Sequence, residues 1–277
     1  GKWDIDTQLA AHIRNLNITQ ELIDCDAGVA PTQWQKEQFP EELQDKIECI
    51  FDGIDTAFFK PNNNIRSRDF YIRGEENTKD LPIKAEATII TYMTRGMEPL
   101  RGFPQFMESV YQLQKINRDV QIIIAGRDRT AYSYEAPGNG GSWKKFMIDK
   151  LTDLNLNNLH FTGLLNYEDY VRLLQRTDLH VYFTRPYVIS WSLIEASACG
   201  SPLLINKNEA TKTTLEDSTK ANWVDLDDNP TFIAETMQKG IQQSKEGGKR
   251  YKNIKTQYEL TECLSAWTSL INKVLLK

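Results

Sequence analysis

Between residues 82 and 240 the chain repeats one pattern: a short, continuous apolar run rich in β-branched residues, then a longer segment with helical spacing. The runs are ATIITYM (87–93), VQIIIAG (120–126), LHFTG (159–163), LHVYF (179–183), PLLIN (202–206) and NWVDL (222–226). They are apolar on successive rather than alternate residues, which predicts strands buried on both faces. Between them, GFPQFMESVYQLQKI carries Phe103, Phe106, Met107, Val110 and Leu113 on one helical face. NYEDYVRLLQRT offers Asn166 as an N-cap and places Tyr170, Leu173 and Leu174 on one side. Fully buried strands joined by amphipathic helices predict a doubly wound α/β domain, a parallel sheet covered by helices on both faces. Right-handed crossovers then bring every strand C-terminus, and the ligand-binding loops with them, to one edge.

The flanks read differently. Residues 1–60 suggest a helix, a short strand, a second helix opened by PTQW, the strand of KIECIF, and a turn-rich connector containing Asp52-Gly53 and Pro61. That is too little for a complete second α/β domain. Residues 61–82 (PNNNIRSRDFYIRGEENTKDLP) are polar and rich in turn formers, and read as a solvated linker or excursion. The core domain is expected over 83–250. Residues 251–277 end in an amphipathic helix carrying Leu260, Leu264, Trp267, Leu270 and Ile271. The opening GKWDIDTQLA reads as a processed, tagged or truncated beginning.

The net charge of −5 argues against a nucleic-acid partner. No run approaches the roughly 18 apolar residues of a membrane span, and no signal peptide opens the chain. A cytoplasmic protein is expected, with peripheral attachment at the inner membrane as the alternative. Cys25, Cys49, Cys199 and Cys263 are scattered without a C-x-x-C pair, as reduced and mostly buried thiols are. His12, His160 and His180 lack metal-ligand spacing, and His160 and His180 sit beside strands as packing residues do. No metal and no cofactor are expected.

Chemistry is expected at three strand ends. After the first strand, TRGMEPLRGF sets Arg95 and Arg101 six residues apart around a Glu-Pro turn, with Arg101-Gly102 at the mouth of a helix. Two guanidiniums beside helix N–H groups suit a diphosphate, although two solvated surface arginines show the same spacing. After VQIIIAG comes RDRTAYSYEAPGNGGSWK, whose glycines lack the spacing of a phosphate-binding loop. It reads as a mobile flap at the rim of the site, with Gly126 tight against the sheet. After LHVYF, the chain passes through RPYVI into a helix that begins with Ser190, Trp191 and Ser192 and carries Glu195 further in. Hydroxyls and free N–H groups there could hold the second face of the same diphosphate. Glu195 lies too deep to stay unpartnered, and either a ribose diol or a local arginine or backbone amide could satisfy it.

These segments, in this order, resemble the nucleotide-sugar-binding half of the family 4 glycosyltransferases, retaining enzymes of the two-domain GT-B fold (glycosyl transferases group 1). The resemblance covers residues 87–240 in detail. It implies that Arg95 and Arg101 bind the donor's diphosphate, that Glu195 grips the ribose, and that Ser190, Trp191 and Ser192 form the turn holding phosphate and sugar. Gly163 and Leu164 match the loop beside the base. The family places a second glutamate eight positions before the ribose glutamate, where this chain has Tyr187; Val188 and Ser190 replace the glycines that usually follow. APTQWQKEQFP and IFDGIDT resemble the end of the N-terminal domain and the crossover into the second, and the last helix resembles the one that packs back on that domain.

The resemblance implies a metal-independent transferase that uses a nucleotide-diphosphate-sugar donor and an acceptor of unspecified class: a glycan, a lipid-linked sugar or a small molecule. This chain would supply the donor-binding half, with activity on its own an open matter. The rest of the N-terminal domain, a second chain or a second copy is expected to cover residues 1–50 and the final helix. Two rivals stand beside this reading. One is a non-catalytic nucleotide-sugar-binding module or subunit. The other, a dinucleotide-dependent oxidoreductase, is opposed by the absence of G-x-G-x-x-G after any strand.

Overall fold

The computed structural model describes residues 4–76, 80–138, 140–186, 189–215, 218–247 and 254–276. Two compact units divide the chain: residues 1–53 with 256–277, and residues 54–255.

The first unit opens with α1 (Ile5–Asp24), capped by Asp4, whose carboxylate accepts the Thr7 N–H at 2.8 Å. Next come β1 (Gly28–Ala30), α2 (Gln33–Lys36), α3 (Glu41–Gln44) and β2 (Ile47–Cys49), with β2 parallel to β1. Leu22, Ala30 and Ile47 form its small core. The chain's last helix belongs here too. Phe51 meets Tyr258 edge-on at 5.0 Å, and a Cβ on Gly53 would lie 2.8 Å from the Leu260 backbone. On α1 a stripe spaced by three and four residues, Ile5, Leu9, Ile13 and Leu16, faces solvent.

The second unit begins with a 3-10 turn (Asn63–Ser67) and an antiparallel pair, β3 (Phe70–Ile72) and β4 (Leu81–Ile83). Here the structure departs from the polar linker expected over 61–82. Phe70, Ile72 and Ile83 are buried, and their alternation with exposed Tyr71 and Pro82 is the period-two signal of a half-buried ribbon. Three-residue strands are too short for that signal to stand out among polar neighbours.

The main sheet follows: β5 (Ile89–Gly96), α4 (Phe103–Ile116), β6 (Gln121–Arg127), α5 (Trp143–Lys150), β7 (Leu159–Gly163), α6 (Tyr167–Arg176), β8 (Leu179–Tyr182), α7 (Trp191–Ala198), β9 (Leu203–Asn206), α8 (Glu209–Lys212), β10 (Asn222–Val224) and α9 (Pro230–Lys245). All neighbours pair in parallel, in the order β10-β9-β8-β5-β6-β7. The doubly wound α/β expectation therefore holds, and each apolar run of the sequence lies in one of these strands. The α4 face is buried completely at Phe103, Phe106, Met107, Val110 and Leu113, and Tyr92 stacks on Phe106 at 4.3 Å. Each such side chain contributes about 1.5–3 kcal/mol by leaving water. The Asn166 side chain accepts from the Asp169 N–H at 2.8 Å, capping α6 as its position predicts. From β5 the chain winds outward through β6 and β7, then returns to β8 on the other side of β5. The chain reverses direction across the sheet between β5 and β8, the switch point at which open α/β sheets bind their ligands.

His180 is a packing residue. It is fully buried beside β5, with Nδ1 2.9 Å from the Thr91 hydroxyl, and burial pushes its pKa down to about 3. An unfolded histidine titrates near 6.5, so only the unfolded chain gains this proton as pH falls below that value. The His180 contribution is absent above about pH 6.5 and destabilises by about 1.4 kcal/mol per pH unit below it, until the folded form protonates. Urea unfolding of wild type should therefore lose about 2 kcal/mol more than His180→Asn between pH 7 and pH 5. Equal losses in the two proteins would refute this.

Candidate functional site

The β5 side of the switch point is built from Thr94 to Gly102. The pairing register of β5 with β6 shifts between Met93 and Gly96, and Arg95 is exposed there. Gly126, beneath this bend, has φ +129°, and a Cβ on it would lie 1.8 Å from the Thr94 carbonyl oxygen. Its place is thus a backbone contact holding β6 against β5. After Glu98 the chain makes a 3-10 turn (Pro99–Arg101), and Gly102, left-handed at φ +64°, swings it into α4. A side chain at Gly102 would collide with Phe183 at 2.6 Å.

Arg101 is 7 % exposed. Its backbone oxygen accepts the Tyr92 hydroxyl at 2.6 Å, and its Nη1 donates to the Thr184 hydroxyl at 3.2 Å, just past β8. The Leu100 carbonyl accepts the Arg185 N–H at 2.8 Å. The two sides of the switch point are therefore joined directly. Arg95 and Arg101 are brought together: their guanidinium carbons lie 5.5 and 5.9 Å from the centroid of the Tyr132 ring, and Arg95 donates to the Tyr132 hydroxyl at 2.6 Å. Among the described residues neither guanidinium has a carboxylate within 4.0 Å. Two neighbouring cations with no carboxylate in direct contact, one of them buried, form a site that a bound anion stabilises.

Tyr132 belongs to the glycine-rich excursion. This loop is tethered: Glu98, fully buried, accepts the backbone N–H groups of Ala131, Tyr132 and Ser133 at 3.0, 2.8 and 2.8 Å through one oxygen. The Trp143 indole donates to the Tyr134 carbonyl at 2.8 Å and closes its other end.

On the β8 side, Ser190 is the N-cap of α7 and makes no side-chain cap bond. Its N–H donates to the Tyr182 hydroxyl at 3.2 Å, and its own hydroxyl is 2.7 Å from that of Ser192. Trp191 is half-exposed beside them. Glu195 is buried, and its partner is neither an arginine nor a backbone amide. The Tyr170 hydroxyl of α6 donates to Oε2 at 2.6 Å. Burial raises the Glu195 pKa, with the Tyr170 bond opposing that shift, while burial and the Glu195 charge push the Tyr170 hydroxyl well above its ordinary value. Tyr187 and Val188 lie outside the described residues.

Gly163, at φ +66°, and half-exposed Leu164 sit at the end of β7. The turn after Gly74 covers them: Glu75 donates its N–H to the Leu164 carbonyl at 2.9 Å, and Gly163 has no room for a Cβ beside Glu76. At the opposite flank, past β8, β9 and β10, a cavity of about 410 Å³ opens between Arg185, Pro186, Asn206, Lys207, Asp225 and Asp227.

Sequence reasoning missed Glu98, Tyr132, Tyr170 and Thr184. Glu98 had a weak signal, a carboxylate inside an otherwise buried strand–helix turn. The other three are marked only by partners 25 to 83 residues away. Among the described residues no group of three or more His, Cys, Asp or Glu could hold a metal ion, and no helix is long and apolar enough to cross a membrane.

The fold recurs in solved structures. HepE from Anabaena, crystallised with UDP-glucose, superposes with a TM-score of 0.68 at 15% identity, over 90% of this chain and 64% of that one. Sucrose-phosphate synthase from Thermosynechococcus elongatus gives 0.64 at 16%, over 96% and 62%. The C-terminal domain of the group 1 glycosyl transferase LpcC from Francisella tularensis gives 0.52 at 19%, over 75% and 96%. The chain thus spans somewhat less than two thirds of the first two proteins. No curated protein sequence matches it. A family model described as "Glycosyl transferase family 4 group" matches residues 2–59. The model described as "Glycosyl transferases group 1" matches residues 74–258, well over half of the chain and all of the parallel sheet, and the protein belongs to that family.

Proposed function

We propose that this chain supplies the donor-binding half of a retaining glycosyltransferase, which moves a sugar from a nucleoside-diphosphate sugar to an acceptor hydroxyl. The observation that carries the reading is the convergence of Arg95 and Arg101 on one ring at the switch point, with Arg101 buried and no carboxylate within 4.0 Å of either guanidinium among the described residues. HepE, which shares the fold, was crystallised in complex with UDP-glucose, which supports a donor of that class. In the proposed reaction the bond from the sugar's anomeric carbon to the diphosphate breaks, and the bond to the acceptor oxygen forms on the same face. The departing phosphate takes the acceptor's proton, so no protein nucleophile is required. The two guanidiniums neutralise the charge that develops on the diphosphate, the role a metal ion plays elsewhere. Ser190 and Ser192 stand at the second face of the diphosphate. Glu195, with one oxygen held by Tyr170, turns its other oxygen to the ribose diol. Gly163 and Leu164, at the end of β7, border the base. The reaction is placed in the cytoplasm.

A specific observation also favours a second reading, a nucleotide-sugar-binding subunit completed by another chain: the solvent-facing stripe Ile5, Leu9, Ile13 and Leu16 is an apolar surface of the kind a partner covers.

A thermal-shift panel of UDP, GDP, ADP, their glucose conjugates and NAD tests the reading. One nucleoside diphosphate should raise the melting temperature, because ligand at about 100 times its Kd stabilises the folded state by about 2.7 kcal/mol. Stabilisation by NAD alone, or by nothing, rejects the donor site. Stabilisation by a nucleotide sugar with neither transfer nor hydrolysis selects the subunit.

A further inference from the structure

We infer that Glu98 is a positioning residue of the diphosphate site, acting through Tyr132; this rests on the reading that Arg95 and Arg101 take a diphosphate. Two guanidiniums repel each other, and something must hold them together before an anion arrives. The Tyr132 ring performs that task, with the two guanidinium carbons 5.5 and 5.9 Å from its centroid and its hydroxyl accepting from Arg95 at 2.6 Å. Tyr132 sits in a loop with little regular structure, and an unfastened loop could not hold two side chains in register.

Glu98 is the fastener. One carboxylate oxygen gathers three successive N–H groups, those of Ala131, Tyr132 and Ser133, and so fixes the backbone on both sides of the ring. The residue also begins the turn that carries Arg101, since its carbonyl accepts the Arg101 N–H at 3.1 Å. A single side chain thus ties the loop bearing the ring to the turn bearing the buried cation. Its second oxygen, Oε1, is buried and has no hydrogen-bond partner. A carboxylate used only to satisfy a loop would not need to remain half-unsatisfied in a fully buried place, because an amide or hydroxyl would serve at lower desolvation cost. Its negative charge, one turn from Arg101, favours keeping two cations close in the absence of ligand.

Tyr132 could instead be a placeholder that a diphosphate must displace, and the two ideas differ in sign. If ring and carboxylate preorganise the cations, removing either weakens anion binding. If the ring occupies the anion's place, removing it strengthens binding.

The test is calorimetric titration of the full chain with inorganic pyrophosphate, a probe independent of base and sugar. Wild type should bind. Tyr132→Ala and Glu98→Ala should each weaken binding about tenfold or more, Tyr132→Phe by a few-fold, and Glu98→Gln, which keeps an acceptor, less than Glu98→Ala. The double variant Glu98→Ala/Tyr132→Ala should bind within about twofold of Tyr132→Ala alone, because the two act as one device. A purely structural role would lower the melting temperature while leaving affinity unchanged, or give multiplicative losses in the double variant; either outcome overturns the inference, as does tighter binding by Tyr132→Ala. Should Glu98→Ala fail to fold, Glu98→Gln and the two Tyr132 variants decide. If Arg101→Ala binds pyrophosphate as wild type does, or if wild type does not bind at all, the diphosphate reading fails and the inference falls with it. Binding abolished by Arg101→Ala but untouched by the Glu98 and Tyr132 variants sinks the inference alone.

Discussion

Arg101→Ala should lower turnover about 10²–10³-fold, the usual cost of removing one preorganised donor aimed at developing negative charge. Of the proposed pair, Arg101 should have the larger effect because of where it sits. Arg95 is exposed, so water and salt screen its charge. Arg101 is 7 % exposed, held by the Thr184 hydroxyl, and meets no carboxylate among the described residues. Its interaction with a phosphate therefore acts in a low-dielectric setting, where it is worth several times more. Arg101→Lys should recover only part of the loss, since a point charge on a flexible stem cannot reproduce a bidentate fork. Folding stability is the discriminating measurement. A buried cation that belonged to the core would be missed on unfolding, whereas one held ready for a ligand costs stability while empty. The Arg101→Ala protein should unfold in urea at or slightly above the wild-type midpoint while losing sugar transfer and nucleoside-diphosphate affinity. A marked drop in the midpoint with unchanged nucleotide affinity would assign Arg101 to the core.

The second large effect lies at the opposite edge of the sheet. Asp178→Ala should destabilise the protein by about 3–5 kcal/mol, the range for removing one partner of a buried ion pair. Asp178 and Arg176 are each 2 % exposed, with Arg176 Nη1 3.2 Å from Oδ2 of Asp178. The same carboxylate accepts the Ile89 N–H at 2.9 Å and pairs with Arg66. Arg176 in turn donates to the carbonyls of Lys84, Ala85 and Ala87. This cluster holds the entry of β5 beside the entry of β8, the two strands whose far ends meet at the switch point. Without Asp178 the Arg176 charge remains buried and uncompensated. For a chain of this size the loss corresponds to roughly 10 °C in melting temperature. Arg66→Ala, which removes the more exposed partner, should cost much less. Equal effects of the two substitutions would show that the carboxylate is not the centre of the cluster.

The two predictions differ in how far the sequence alone could reach. Arg101 was legible, because two arginines around a turn at the end of an apolar run announce themselves by type and spacing. Asp178 was not, since it precedes LHVYF as an ordinary polar residue would, and beyond nearby Arg176 its partners Arg66 and Ile89 are 112 and 89 residues away. The same division runs through the site. Asn166 could be read as a cap, because its bond is to a residue three positions on. Glu195 could be read as needing a partner, but Tyr170 could not be named as that partner. Residues 61–82 look solvated in sequence because composition dominates when strands are only three residues long. The burial of Phe70 depends on a distant side chain, the Arg172 guanidinium, which lies 4.3 Å from its ring centroid.

What the sequence by itself determined is whatever depends on neighbours within a few residues: which segments are strands and helices, that the sheet is parallel and covered, and at which edge the loops meet. Periodicity and capping act over one or two turns, so their physics is written in consecutive residues. The tertiary structure alone decided that Tyr132 comes to lie under Arg95 and Arg101, that Glu98 fastens it, and that Tyr170 answers Glu195. Each of these contacts closes a loop of 25 to 37 residues. Whether such a loop closes depends on how the crossovers stack on the sheet, a property of the packed whole that no local run of side chains encodes.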